Sequence, residues 1–345
     1  EEALYSYRQM RSEGILPDEI LLVCVLKACG GVRDVEECME MHAYVETMGF
    51  LRSNVVVGTA VVYMYAKCGM LAESKIIFRT LPFQQVVMWN ALISGCVRHG
   101  RAEEALDYYQ EMHRHGISPD DYTLTCILKA CGMIGAFEKG RKIHVDIEKK
   151  GFLQTSQHVG NAVVAMYVKC GMVANASKVF NTLRIRNVVS WNILIAGYAQ
   201  GGELGEVLYI LEGMKGEGIK PSSVTFISVL NACSHGGLVD QAQRYFKMMS
   251  IDYGTNPTLQ HYTRIIDLFG RAGHLDKMLM MIEEMPFYPD LVLLQSVLDA
   301  CKKWGTTELG KMVFTKVTRF VEKDTSAYIP VYNNGTQMEV YAINH

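Results

Sequence analysis

The chain repeats itself every 102 residues, and this register constrains its fold more than any other feature. Trp89 returns as Trp191, Cys29 as Cys131 and Cys233, Cys68 as Cys170, His42 as His144, and Pro17 as Pro119 and Pro221. A compact domain with one core has no need of such a register. Self-similarity at a fixed period marks a repeat array, in which function is sought at positions that vary inside a constant frame.

Each 102-residue block divides into three unequal repeats of 35, 36 and 31 residues (86–120, 121–156 and 157–187) before the cycle restarts at VVSWNILIAGY, Val188 to Tyr198. Each repeat reads as a pair of amphipathic helices. In the first, Trp89, Leu92, Ile93, Cys96 and Val97 recur at i, i+3, i+4, i+7 and i+8. Gly100 interrupts the pattern, and Ala105, Leu106, Tyr109 and Met112 restart it before Gly116 and Pro119. One such hairpin cannot bury its own apolar face, so neighbours must stack, and an all-α solenoid with an extended concave surface is predicted. The reading divides the chain into a partial repeat (1–18), repeats at 19–54, 55–85, 86–120, 121–156, 157–187, 188–222, 223–258 and 259–290, and an extension at 291–345.

Composition narrows the function classes. With 49% hydrophobic and 20% charged residues and eight prolines among 345, the chain reads as soluble and ordered, without low-complexity segments. It has no apolar run of transmembrane length. Its first residues, EEALYSYRQM, read as the second helix of a repeat already under way, so further sequence is expected before Glu1. The formal charge of −2 supplies no basic field over the whole surface. Local placement matters more: Lys67, Arg98, Lys169 and Arg271 each occupy the thirteenth position of a repeat. Two readings stay open for them, helix C-terminal charge favoured by the macrodipole and contact with phosphates.

The ten cysteines do not form a metal set, because no CxxC pair occurs and the periodic ones lie tens of residues apart. They are expected to be buried, reduced structural thiols, in keeping with an intracellular or organellar compartment. His42 and His144 are template positions in second helices. No nucleophile elbow, Gly-rich phosphate loop, or HxE followed by CxxC is present, so neither enzyme nor cofactor chemistry is expected.

Unequal spacing separates two solenoid families. Three 34-residue tetratricopeptide repeats would also make 102, but the fifth positions of the repeats, at 23, 59, 90, 125, 161, 192, 227, 263 and 295, are spaced by 36, 31, 35, 36, 31, 35, 36 and 32. VVSWNILIAGYAQ with GIKPS, LKACG with GRKIH and KKGF, and AMYVKCGMVANASKVF resemble the ordinary, long and short repeats of plant organellar pentatricopeptide repeat proteins. SVLNACSHGGLVDQAQRYF, HYTRIIDLFGRAGHLD and EEMPFYPD are similar to the long and short repeats that close such arrays. LVLLQSVLDACKKWGTTELGKMV resembles the first extension motif that follows them, and TSAYIPVYNNGTQ a degenerate start of the second.

The resemblance implies a right-handed α-solenoid superhelix that binds single-stranded RNA along its groove, one nucleotide per repeat. It implies that the fifth and last residues of a repeat read one base, and that the apolar second residues Val56, Val87 and Val189 flank bases, a role that competes with burial in the core. Asn90 with Asp120 then resembles a U reader, Asn161 with Asn187 a C or U reader, Asn192 with Ser222 a C reader, and Thr263 with Asp290 a G reader. Thr59 with Gln85 leans to purine, and the long-repeat pairs fit no combination. The function implied is selection of an RNA site for C-to-U editing in a mitochondrion or chloroplast, with the deaminase acting in trans. Transcript stabilisation or splicing, and a structural adaptor that holds protein, are the alternatives.

Overall fold

The structure, a computed structural model, describes residues 2–305, 329–333 and 337–341. They fall into two compact bodies, residues 1–186 and 187–345.

The first body is wholly helical, with α1 Glu2–Ser12, α2 Glu19–Val32, α3 Val35–Thr47, α4 Phe50–Ser53, α5 Val55–Cys68, α6 Leu71–Thr80, α7 Val86–Arg98, α8 Ala102–Arg114, α9 Asp121–Met133, α10 Phe137–Lys149, α11 Phe152–Thr155, α12 Gln157–Lys169 and α13 Val173–Thr182. The second continues with α14 Val188–Gln200, α15 Leu204–Gly216, α16 Ser223–His235, α17 Val239–Ile251, α18 Leu259–Ala272, α19 Leu275–Glu284 and α20 Leu291–Trp304. A short antiparallel ladder, β1 Ile329–Asn333 and β2 Gln337–Tyr341, pairs Ile329 with Tyr341. The TELG stretch of the first extension motif, and most of TSAYIPVYNNGTQ, lie outside the described residues. No described helix is long and apolar enough to cross a membrane.

The apolar stripe of α7 shows why the hairpins stack. Trp89, Leu92, Ile93, Cys96 and Val97 are all at most 4% exposed, and Ala105, Leu106, Tyr109 and Met112 of α8 close over them. Fully burying each such large apolar side chain is worth roughly 1.5–3 kcal/mol, which α7 gains from α8 and the neighbouring first helices together. In the first body α2 packs on α5, α5 on α7, α7 on α9 and α9 on α12; in the second α14 packs on α16, α16 on α18 and α18 on α20. Second helices bridge adjacent first helices, as α8 does between α7 and α9.

The unequal repeat lengths have a structural origin. Two long repeats insert a single helical turn, α4 or α11, after a left-handed glycine, Gly49 (φ 76°) or Gly151 (φ 75°). Short repeats instead carry second helices of 10 residues, α6, α13 and α19, against 13 in the ordinary repeats. The long repeat at 223–258 has an irregular segment after α17 in place of the extra turn.

The repeated histidines serve packing. His42 Nδ1 lies 3.0 Å from the Tyr65 hydroxyl, and His144 Nδ1 lies 3.0 Å from the Tyr167 hydroxyl, tying a second helix to the following first helix in each case. Most cysteines are buried thiols, but Cys24 is exposed and Cys68, Cys126 and Cys170 are half-buried, so the expectation of uniform burial does not hold. Cys24 lies at the sixth position of its repeat, off the stripe that α2 turns to α5. Among the described residues, no group of three or more His, Cys, Asp or Glu could hold a metal ion.

Helix approach is tight where α5 meets α7. A methyl group on Gly95 would lie 2.6 Å from the Ala66 Cβ and 3.2 Å from the Ala66 carbonyl oxygen. Gly205 in α15 has nothing within 4 Å of that position. Gly95→Ala is therefore expected to destabilise the protein by about 1–3 kcal/mol through overpacking, although alanine is the better helix former. Gly205→Ala is expected to stabilise it by up to ~1 kcal/mol. Denaturant titration of the two variants checks the opposite signs.

Candidate nucleic-acid interface

The start of each first helix sets the site. The residue preceding it is the N-cap, which accepts hydrogen bonds from the otherwise orphan N–H groups of the first turn. Asp120 Oδ1 accepts from Thr123 N at 2.8 Å, Asn187 Oδ1 from Val189 N and Ser190 N at 3.0 Å each, and Asp290 Oδ1 from Leu293 N at 2.9 Å. Ser222 Oγ accepts from Thr225 N at 3.4 Å. Gln85 also precedes a helix, α7, but its longer side chain makes no capping bond. The last residue of a repeat is thus also the cap of the next.

Adjacent first helices bring that cap beside the fifth residue of the preceding one. Asn90 Nδ2 donates to Asp120 Oδ2 at 3.0 Å and lies 3.1 Å from Oδ1. In the second body Asn192 Nδ2 donates to Ser222 Oγ at 3.1 Å. In both places a third side chain completes the arrangement: Thr123 Oγ1 donates to Asn90 Oδ1 at 2.6 Å, and Thr225 Oγ1 to Asn192 Oδ1 at 2.6 Å. Burial alone would raise the Asp120 carboxyl pKa, but the Thr123 N–H and hydroxyl, the Asn90 amide and the Tyr122 N–H together hold it below the usual value. At neutral pH Asp120 is therefore an acceptor only.

The other fifth residues are placed differently. Thr59 Oγ1 donates to Val55 O at 2.7 Å and Thr263 Oγ1 to Leu259 O at 2.9 Å, each within its own helix. Asn161 is buried in α12, and its Oδ1 has no hydrogen-bond partner.

In the first body these positions share one groove of about 630 Å³. Thr59 and Asn90 line it together with Gln85 and Asp120, so two consecutive pairs face the same space. Val56, Val87 and Tyr122, the second residues of three consecutive repeats, line it as well. Val56 is 62% exposed, Val87 58% and Val189 48%, which decides against burial of these residues in the core. Lys27, Tyr63 and Ser94, all ninth residues, form a further row in the groove that spacing alone did not single out.

The four cations do sit in the last turns of their helices, α5, α7, α12 and α18. Arg98 and Lys169 are exposed. Lys67 is half-buried, its Nζ 5.7 Å from the centre of the Tyr63 ring. Arg271 is already engaged: its Nη2 is 2.5 Å from Asp267 Oδ2 and also donates to Ser234 Oγ. Thr123 and Thr225 were missed at the sequence level, although a hydroxyl three residues after a capping residue is a readable capping-box pattern.

Fold and groove together define a helical-repeat protein of the α-solenoid class, with a paired polar contact at the junction of successive repeats. The PPR repeat family model matches residues 84–133 and 186–235, and a second PPR repeat model matches 224–251 and 261–287. A pentatricopeptide repeat-containing protein of Arabidopsis thaliana is 38% identical over 338 residues, 96% of this chain and 59% of the relative. A chloroplastic one from the same plant is 35% identical over 328 residues (94% and 44%), and a mitochondrial one 33% identical over 333 residues (96% and 48%). The chain spans between 33% and 59% of the length of such curated relatives. Among solved structures, the crystal structure of the pentatricopeptide repeat protein PPR10 in complex with an 18-nt psaJ RNA element superposes with a TM-score of 0.70 at 15% identity, over 92% of this chain and 47% of that one. The crystal structure of the pentatricopeptide repeat protein PPR10 from maize gives 0.67 at 17% identity, over 93% and 51%. The chain belongs to the pentatricopeptide repeat proteins.

The double duty of Asp120 has a measurable consequence. Asp120→Ala removes a cap worth ~1 kcal/mol and leaves the buried Asn90 amide without its acceptor, at a further ~1 kcal/mol or more. Gln85→Ala, which breaks no capping bond, is expected to cost less than ~0.5 kcal/mol. Chemical denaturation of both variants is the check.

Proposed function

We propose that the protein is an organellar, sequence-specific single-stranded RNA-binding protein that selects a transcript site for C-to-U editing, with the deaminase acting in trans. The observation that carries the RNA-reading part is the hydrogen-bonded pairing of Asn90 with Asp120 and of Asn192 with Ser222. The editing part is supported by the alternation of 35-, 36- and 31-residue repeats and by the extension-like sequence from Leu291. The organellar location is supported by relatives named chloroplastic and mitochondrial.

The side-chain chemistry gives the proposal its bases. An amide carries two N–H donors; Asn90 spends one on Asp120 and keeps one for a base oxygen. The ionised Asp120 retains lone pairs for the N3–H of uracil. Cytosine lacks that hydrogen, and its unprotonated N3 needs a donor. Ser222 accepts the Asn192 amide, and its own hydroxyl proton, directed to Thr225 Oγ1 at 3.2 Å, can turn from there to cytosine N3. The exposed Val56, Val87 and Val189 supply apolar surface against the faces of bases. With N-terminal repeats toward the 5′ end, the order preferred by the pairs from Thr59 to Asp290 is purine, U, any, pyrimidine, C, any, G.

Selection of bound RNAs from a random pool tests binding and order together, and recovery of no common sequence would sink both. Ser222→Asp is expected to shift the fifth place from C to U by ~1 kcal/mol or more, read from binding to two RNAs differing only there. Identical ranking by the two proteins would remove Asn192 and Ser222 from base reading. In the plant, gene disruption is expected to abolish conversion at one transcript; a transcript that disappears while its remaining copies stay edited would favour stabilisation.

Lys67, Arg98 and Lys169 are proposed to meet phosphates, while Arg271 is held back by Asp267. Replacing the first three by Gln is expected to flatten the dependence of log affinity on log salt by about 0.7 per lost contact. Arg271→Gln should change it least, and binding isotherms over a salt series give the slopes.

A further inference from the structure

Every Asn at a fifth position is matched, at the third position of the following repeat, by a hydroxyl residue. Asn90 is matched by Thr123, Asn192 by Thr225, and in the sequence Asn161 by Ser190. Where the fifth residue is Thr, the matching residue is apolar: Met88 follows Thr59, and Leu293 follows Thr263. The structure supplies a reason for the match. The fifth-position threonines satisfy their own hydroxyls on the carbonyls of Val55 and Leu259, four residues back, and need no outside partner. An Asn amide has two chemically different ends that can exchange places by rotation about its terminal bond, so something must choose between them.

We propose that Thr123 and Thr225 are positioning residues that fix the polarity of the base-reading amides of Asn90 and Asn192; Ser190 instead donates its hydroxyl to Asn187 Oδ1 at 3.1 Å. This rests on the base-reading assignment proposed above. The polarity follows from the partners. Asp120, as a carboxylate, only accepts, so the Nδ2 end of Asn90 must face it. The other end faces Thr123, whose Oγ1 accepts the Asp120 N–H at 3.2 Å and whose single proton lies between Asn90 Oδ1 at 2.6 Å, the nearer acceptor, and Asp120 Oδ1 at 2.8 Å. Thr225 repeats the arrangement, accepting the Ser222 N–H at 2.8 Å and donating to Asn192 Oδ1 at 2.6 Å. Thr123 and Thr225 are both fully buried, so neither can touch a base itself. With the oxygen end occupied, the end left to a nucleotide is the donor end. The clamp matters most at Asn192, because Ser222 can donate as well as accept and does not by itself choose the orientation.

The test compares Thr123→Val and Thr225→Val, which keep shape and lose the hydroxyl, with Thr123→Ser and Thr225→Ser, which keep it. Each is titrated with four RNAs carrying each base at the nucleotide assigned to Asn90 and Asp120, and with four varied at the nucleotide assigned to Asn192 and Ser222. The valine variants are expected to lose about tenfold of base discrimination, each at its own nucleotide only, while the serine variants discriminate like the wild type. Unchanged discrimination, or uniform weakening with the ranking of bases kept at both nucleotides, overturns the proposal. Asn90→Ala and Asn192→Ala separate the two levels: if they too leave the ranking unchanged, the base-reading assignment has failed. The clamp is then read without RNA, from the side-chain amide resonances of Asn90 and Asn192 in asparagine-labelled protein. These resonances are expected to move in the valine variants and stay in the serine variants, and their staying in all four overturns the clamp. The amide spectrum also decides for a valine variant too unstable to titrate, through the other member of the pair.

Discussion

Everything in this protein depends on first helices packing directly on first helices. An apolar stripe such as Trp89, Leu92, Ile93 and Cys96 is buried by α8 together with the neighbouring first helices α5 and α9, and helix axes packed face to face lie some 8–10 Å apart. That separation is what a fifth residue on one helix and a cap on the next can bridge with a single hydrogen bond. Gly95 against Ala66 shows how tightly the approach is set. The polar pairs Asn90–Asp120 and Asn192–Ser222 are therefore by-products of core packing, formed without any loop being shaped for the purpose.

Much of the fold was legible because helix periodicity and punctuation are local. The stripe of α7, the break at Gly100 and the restart in α8 follow from residues within one repeat. The inserted turns α4 and α11 were not legible: each repeat read as a pair of helices, and the left-handed Gly49 and Gly151, each followed by four helical residues, add a third. The fate of the second residues was open for a similar reason. Val56 and Val87 are apolar and helical, and a pattern alone does not say whether such a residue meets the next helix or the open groove.

The candidate site was half legible. The family resemblance paired Asn90 with Asp120, yet the hydroxyl that joins them, Thr123, lies in another repeat and belongs at first sight to a capping box. Arg271 shows the opposite limit: its position matched Lys67, Arg98 and Lys169, but Asp267 one turn back, a neighbour the other three lack, claims its charge. Charge rows inferred from register are altered by whatever stands four residues away on the same helix.

The coincidence of cap and groove residue restricts what evolution can write there. A helix start tolerates a short list of small polar side chains, and Asp120, Asn187, Ser222 and Asp290 are drawn from it. Exchange within that list leaves the folded state nearly indifferent, because each member caps about equally well, while altering which hydrogens the cap side chain presents. Such a scaffold separates two kinds of selection that most proteins must satisfy with the same residues. Under the proposed base reading, targets drift by single substitutions without passing through an unstable intermediate, and a small vocabulary is what makes that freedom available.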